Sequence, residues 1–331
     1  MCAPQVRSGR PLAPLDAAER RRHKLRNALQ SVLLLGGMVG LLAVCGWLLF
    51  GPDGVVGMVL GAALALIFGP RLSPQMVLRL YAARPLAPEQ LPAVFDALAR
   101  LTERAGLERM PRIYYIRSSM LNAFSVGNRE DAAIALTDGI LRRLDLRELA
   151  GVLAHEISHI RNRDLWLMSL ADLTARLTRV MTLFGLGLVI VGLPLWLGGG
   201  GQPPGLLILL LLFAPQLTVL LQLALSRARE FEADLDAAGL TGDPAGLISA
   251  LAKLERAQGG LWEQILMPGY RLPEPSLLRS HPPTGQRIAR LRALYGQTAA
   301  SGPAFAAAAP VGLAGPAIAR QPHGRLLGHW L

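Results

Sequence analysis
The chain has 331 residues, 52% of them apolar, a positive mean hydropathy and a formal net charge of +11. The apolar surplus is gathered in blocks, which excludes an ordinary soluble globule and points to membrane spans. With Cys2 and Cys45 as its only cysteines, a disulfide framework and a cysteine-based metal cluster are excluded as well. The positive charge comes with no recognisable nucleic-acid module, and many arginines flank apolar blocks. It therefore reads as a membrane-topology signal and not as a DNA or RNA partner.

Residues 1–30 form a basic N-terminus containing Arg7, Arg10, Arg20, Arg21, Arg22, Lys24 and Arg26. This charged stretch is too long for a secretory signal, and an apolar hairpin follows it directly. Residues 32–50 are uncharged and long enough to cross a bilayer as a helix. After the linker GPDG, residues 55–69 are apolar again, near the lower length limit for a span; a first transmembrane hairpin is expected over 31–70. Cys45 falls inside it as a packing thiol.

A soluble domain follows. Residues 88–105 read as an amphipathic helix with Leu91, Val94, Phe95, Leu98 and Leu101 on its apolar stripe. The runs 112–116, 121–126 and 132–137 predict a small antiparallel sheet, the last two joined by a Gly-Asn turn. Asp145 followed by Glu148 is a capping box, and Leu146, Leu149, Leu153 and Ile157 keep helical spacing behind it. Residues 180–197 and 205–225 are two further apolar blocks, parted by GGGGQPP and interrupted by Pro194 and Pro215; they predict a second hairpin over 180–225. Neither interblock linker holds Lys or Arg, so both termini and both parts of the soluble domain are expected in the cytosol. Ile288, Leu291 and Leu294 mark a packing helix near the end of the domain, and residues 296–331, rich in Ala, Gly and Pro, read as a flexible tail.

The chemistry sits in residues 155–159, HEISH. Two imidazoles four apart share a helix face and can chelate one metal ion, and the glutamate between them is placed as a general base. A catalytic zinc site takes a third protein ligand and keeps one position open. The segment 226–236, SRAREFEADLD, offers Glu230 with Asp234, and Glu232 with Asp236, each pair four apart on a helix. Spacing leaves the choice between these pairs open, with a solvated acidic face paired to Arg227 and Arg229 as the bland alternative.

Three blocks in this order, HEISHIRNRD at 155–164, SRAREFEAD at 226–234 and HPPTGQRIARL at 281–291, resemble the signature blocks of the HtpX-type membrane metalloproteases. That resemblance implies zinc held by His155, His159 and Glu230, Asp234 as the carboxylate orienting a ligand, and Glu156 as the catalytic base. His281, in the HPPT block, becomes a candidate donor to the oxyanion of the reaction, the alternative being a rigid-turn residue; Arg287 ranks below it. Asn122, Ala123 and Phe124 resemble the family's NAF segment beside the strand that binds substrate, although Leu121 stands where the family has proline. An edge strand next to the zinc helix lets a peptide add as a further strand.

The expected architecture is an α-helical integral membrane protein with a mainly α, gluzincin-like zinc-peptidase domain in the cytosol. That domain is divided into residues 71–179 and 226–295. The expected activity is a zinc endopeptidase of a bacterial inner membrane that cleaves misfolded or damaged membrane proteins, with one zinc ion per subunit. A CAAX-type or signalling peptidase is the alternative within the same chemistry. A zinc-stabilised client-binding scaffold is the alternative outside it.

Overall fold
A computed structural model of the protein describes residues 17–68, 74–199, 205–259 and 284–295. His281 and the expected tail at 296–331 lie outside the described residues. In chain order the elements are α1 (Ala17–Phe68), α2 (Pro74–Leu80), β1 (Arg84–Pro85), α3 (Pro92–Ala105), β2 (Arg112–Ile116), β3 (Ala123–Val126), β4 (Ala133–Thr137), α4 (Asp138–Arg143), α5 (Leu146–Asn162), α6 (Asp164–Leu197), α7 (Gly205–Thr241), α8 (Pro244–Gly259) and α9 (Thr284–Tyr295).

Among the described residues, three helices are long and apolar enough to cross a membrane: Leu25–Met58, Asp164–Pro194 and Gly205–Thr241. The first two predicted spans belong to α1, which reverses at Gly51 (φ 65°, ψ −153°) just before Pro52. A Cβ on Gly46 would lie 2.7 Å from the Met58 side chain, and one on Gly54 would lie 2.1 Å from the Gly46 carbonyl oxygen. Residues eight apart in a straight helix are about 12 Å apart, so the two arms of α1 fold back on each other at this point. The first arm packs on α6 and α7, with Met38 buried against Ala171, Ala175 and Leu225. Further along, Gly185 of α6 meets Leu49 and Leu211, and Phe50 stacks on Phe184. Cys45 is fully buried in this bundle, as its packing role requires. The block at 180–197 is the second half of α6, which begins only one residue after α5 ends.

The sheet has strand order β1-β2-β4-β3. β3 and β4 are antiparallel through the Gly-Asn turn, where Gly127 has φ 95° and the Asn128 side chain accepts from the backbone of Glu130 and Asp131. The all-antiparallel expectation is corrected at β2: it runs parallel to β4, because the β3–β4 hairpin inserts its second strand beside β2. The two-residue β1 pairs with the far side of β2. β4 is buried on both faces. Ile134 and Leu136 enter the main core with α3, α5 and α8, while Ala133 and Ala135 meet Leu78 of α2 and Phe124. All five apolar residues expected on the first soluble helix are buried in α3 and the turn before it.

The predicted capping box starts α5. Asp145 accepts from the Glu148 amide at 2.8 Å, and Glu148 accepts from the Asp145 amide at 2.9 Å. Glu148 also accepts from Ser249 and Lys253 of α8, both at 2.6 Å. Burial pushes its carboxyl upward, but these hydrogen bonds outweigh it and hold the group below its ordinary value. Replacing Glu148 by Ala should lower stability by about 2 kcal/mol through the lost cap and the lost link to α8. A depressed carboxylate stabilises above its unfolded value and loses that contribution as pH falls. The gap between wild type and Glu148→Ala in thermal unfolding should therefore close below about pH 4.

Candidate active site
Cap, apolar stripe and motif act together in α5. Leu149, Leu153 and Ile157 are fully buried in the core, and this fixes the helix so that His155 and His159 project together towards α7. α7 is one continuous helix, and Glu230 and Asp234 lie a turn apart on its facing side. Where α5 and α7 cross, the Nε2 atoms of His155 and His159 are 3.1 Å apart. Glu230 Oε2 lies 3.4 Å from the first and Oε1 lies 3.6 Å from the second. Three donors bound tetrahedrally to one ion at zinc-ligand distances stand about 3.3–3.6 Å from one another. The donor set therefore fits a single small divalent ion, and with three protein ligands it leaves one position for substrate chemistry.

The other imidazole nitrogens are equally committed. His155 Nδ1 faces Asp234 Oδ1 at 3.1 Å, and His159 Nδ1 faces Asp164 Oδ2 at 2.8 Å. A carboxylate at Nδ1 holds the proton there and turns the Nε2 lone pair to the metal position. Each carboxylate is in turn gripped by a buried arginine. Arg287 forks onto Asp234 at 2.6 and 2.8 Å, with its third nitrogen 3.2 Å from Glu230 Oε2. Arg229 binds Asp164 at 2.5 and 2.6 Å.

These charges set the protonation of the paired side chains. Burial raises the Asp234 carboxyl, but Arg287 and His155 outweigh it and bring it down to about 2. Burial and Arg287 both lower His155, yet the hydrogen bonds to Asp234 and Glu230 carry it up to about 9. A metal ion held there would take the place of that proton. Arg287 itself is driven upward, its burial overcome by Asp234 and Glu230.

The two acid pairs that spacing left open take different partners. Glu230 and Asp234 face the histidines. Glu232 pairs with Arg229 at 2.6 Å, and Asp236 takes Arg161 at 2.5 Å and Asn162 at 3.1 Å. Glu156 is buried and close enough to Arg287 to help raise it. Arg287, ranked low from sequence, is a central residue of the site. Asp164 was not foreseen, because five residues from His159 is not a same-face interval on one helix. It reaches the imidazole because Arg163 adopts a left-handed conformation (φ 57°) that breaks α5 from α6. The signal available was the acid closing the HEISHIRNRD block.

β3 is the edge strand and packs beside α5. The Thr137 amide donates to the Asn122 carbonyl at 3.1 Å, so the Asn122 backbone pairs inward with β4. By the alternation of an antiparallel ladder, the backbone polar groups of Ala123 point to the free edge. The Phe124 side chain is buried against Tyr81 and the α2 side of the sheet, which makes it a packing residue.

A family model described as peptidase family M48 matches residues 85–295, from β1 through α9. A protein named "Protease HtpX homolog" from Burkholderia ambifaria is 35% identical over 283 residues, covering 80% of this chain and 96% of its own. Proteins of the same name from Kineococcus radiotolerans (38%, 83% and 99% covered) and Acaryochloris marina (39%, 82% and 96% covered) match along the same length. Crystalline S. mikatae Ste24p is more distant, with a TM-score of 0.40 at 19% identity over 83% of this chain and 66% of that one. On the family match and these relatives, the chain belongs to peptidase family M48 and is a membrane metalloprotease of the HtpX type.

Proposed function
We propose that the protein is a zinc endopeptidase of a bacterial inner membrane, with its site on the cytosolic side, that cleaves misfolded or damaged membrane proteins. The observation that carries this reading is the continuity of α7. Glu230 lies on the helix that holds the apolar block 205–225, five residues or about 8 Å beyond its end. A site anchored that close to the bilayer surface suits a scissile segment emerging from the membrane. The basic N-terminus and the absence of Lys and Arg from both linkers support the cytosolic orientation, with 1–30, 71–179 and 226–295 on one side.

In this reading His155, His159 and Glu230 hold the zinc, and Asp234 orients His155. The bound ion would supply Lewis acidity at the scissile carbonyl and make water acidic enough to attack near neutral pH. Glu156 removes the proton of the attacking water and returns it to the leaving amine. The Ala123 edge of β3 receives the peptide backbone in extended form, so selectivity for side chains is broad. His281 donates to the oxyanion.

The test is cleavage in nanodiscs of membrane-anchored reporters whose unfolded segment starts at increasing distance from the bilayer. Cutting should be zinc-dependent, abolished by chelation, and confined to sites near the membrane. Equal cutting at every distance, or of a soluble unfolded protein at the same rate, would sink the membrane-proximal reading. As a check on topology, a Cys placed at Gly199 should react with a membrane-impermeant maleimide only from the periplasmic side.

A further inference from the structure
We infer that Arg229 is a positioning residue for the metal centre, acting through Asp164 to fix the tautomer and orientation of His159. The inference rests on the ligand assignment proposed above and goes beyond it to a residue that touches neither metal nor substrate.

The two oxygens of Asp164 are divided between two partners. Oδ1 takes both Nε and Nη2 of Arg229, at 2.6 and 2.5 Å, while Oδ2 faces His159 Nδ1 at 2.8 Å. The remaining guanidinium nitrogen, Nη1, donates to Glu232 Oε2 at 2.6 Å. Every member is nearly excluded from solvent: Arg229 is 7% exposed, Asp164 2%, His159 9% and Glu232 8%. Burying an arginine and two carboxylates costs several kcal/mol per ion unless their geometry is fully used. Here the fork geometry is spent on a single carboxylate oxygen, which leaves the other free to order the imidazole.

The alternative function for Arg229 is to staple α7 to the α5–α6 junction. That task is already served about two turns further along α7, where Arg161 and Asn162 both bind Asp236. What Arg229 adds is a fixed positive charge on the carboxylate behind a ligand. Without it, Asp164, at the first position of α6, would lose the fork that holds its other oxygen in place and would be free to turn away from Nδ1. His159 could then carry its proton on Nε2, the nitrogen that must face the metal. The same construction recurs at the other imidazole, where Arg287 grips Asp234 behind His155. The arginine there comes from α9, whereas Arg229 precedes Glu230 directly on α7. One short stretch of the membrane helix thus carries a ligand and the support of a second ligand.

The experiment measures zinc affinity of the detergent-purified full chain by chelator competition, with the visible spectrum of the cobalt-substituted protein as a second readout. Arg229→Gln should weaken zinc binding about 10–100-fold, the usual effect of losing support behind a ligand, and should alter the cobalt spectrum. Asp164→Asn should do at least as much, and the double variant should bind no more weakly than Asp164→Asn alone. Glu232→Gln, which disturbs the same buried cluster but leaves the Asp164 fork in place, should change affinity less than threefold, an order of magnitude below the loss expected for Arg229→Gln. If Arg229→Gln does not fold, Arg229→Lys replaces it. That variant keeps the charge and loses the fork, and should fall between wild type and Asp164→Asn in affinity and spectrum.

Unchanged affinity and spectrum in Arg229→Gln, or in Arg229→Lys where that variant is used, would overturn the inference. So would an Arg229 substitution that weakens the Asp164→Asn protein by the same factor as wild type. Failure of the ligand assignment looks different: His159→Ala would then bind zinc as wild type does.

Discussion
Glu156→Gln is expected to retain one zinc ion per chain and to lose turnover by about 10²–10⁴-fold, the range that a positioned acid–base group contributes. On an ideal helix Glu156 projects about 100° from His155 and about 60° from His159, so it flanks the metal position without sharing the ligand bearing. The ligand triad has its own donors, and the nitrogens of both histidines are already matched with carboxylates. Nothing in that set depends on a charge at position 156. The substitution is isosteric at a buried position, so folding should be spared, and only the ability to accept a proton is removed. Metal content by mass spectrometry beside turnover on an unfolded membrane-anchored reporter decides the matter. A variant that keeps its zinc and more than about a tenth of wild-type turnover would remove Glu156 from the base role.

This expectation was legible in the sequence because every part of it is local. The capping box at Asp145 and Glu148 and the stripe through Leu149, Leu153 and Ile157 set the phase of one helix, and the phase brings His155 and His159 together. The same held for α3 and for the β3–β4 hairpin. What escaped was non-local. The parallel pairing of β2 with β4 depends on where a hairpin inserts, which no strand-length pattern encodes. Asp164 depends on one left-handed residue at a helix break. The choice of Glu230 over Glu232 came from resemblance and not from spacing, since the two pairs repeat the same interval. Only the crossing of α5 and α7 sends one pair to the histidines and the other to Arg229, Arg161 and Asn162.

The standing of Arg287 has the largest consequence for stability. Sequence ranked it below His281, with only its place in the same HPPT block to mark it. It is 6% exposed and binds Asp234 through two nitrogens, with Glu230 opposite the third. Arg287→Met keeps much of the apolar stem and deletes the charge. Asp234 would then face only His155, and removing one partner of a buried ion pair typically costs about 3–5 kcal/mol. The metal-free protein should report this as a marked fall in the temperature of thermal unfolding. Zinc should recover part of it, because binding to the folded state alone is stabilising.

The pH dependence carries a second signature of the same residue. With Arg287 present, Asp234 titrates at about 2, so its contribution is in place above the unfolded value near 3.9 and is lost as pH falls through 2. Without Arg287 its carboxyl moves up, and the loss on acidification should begin at a higher pH than in wild type. Arg287→Lys restores a charge without the fork and should recover the acid tolerance better than the metal affinity. If Arg287→Met matched wild type both in thermal unfolding and in its acid limb, the guanidinium would be a surface group in solution. The tie from α9 to the metal centre would then have to be abandoned.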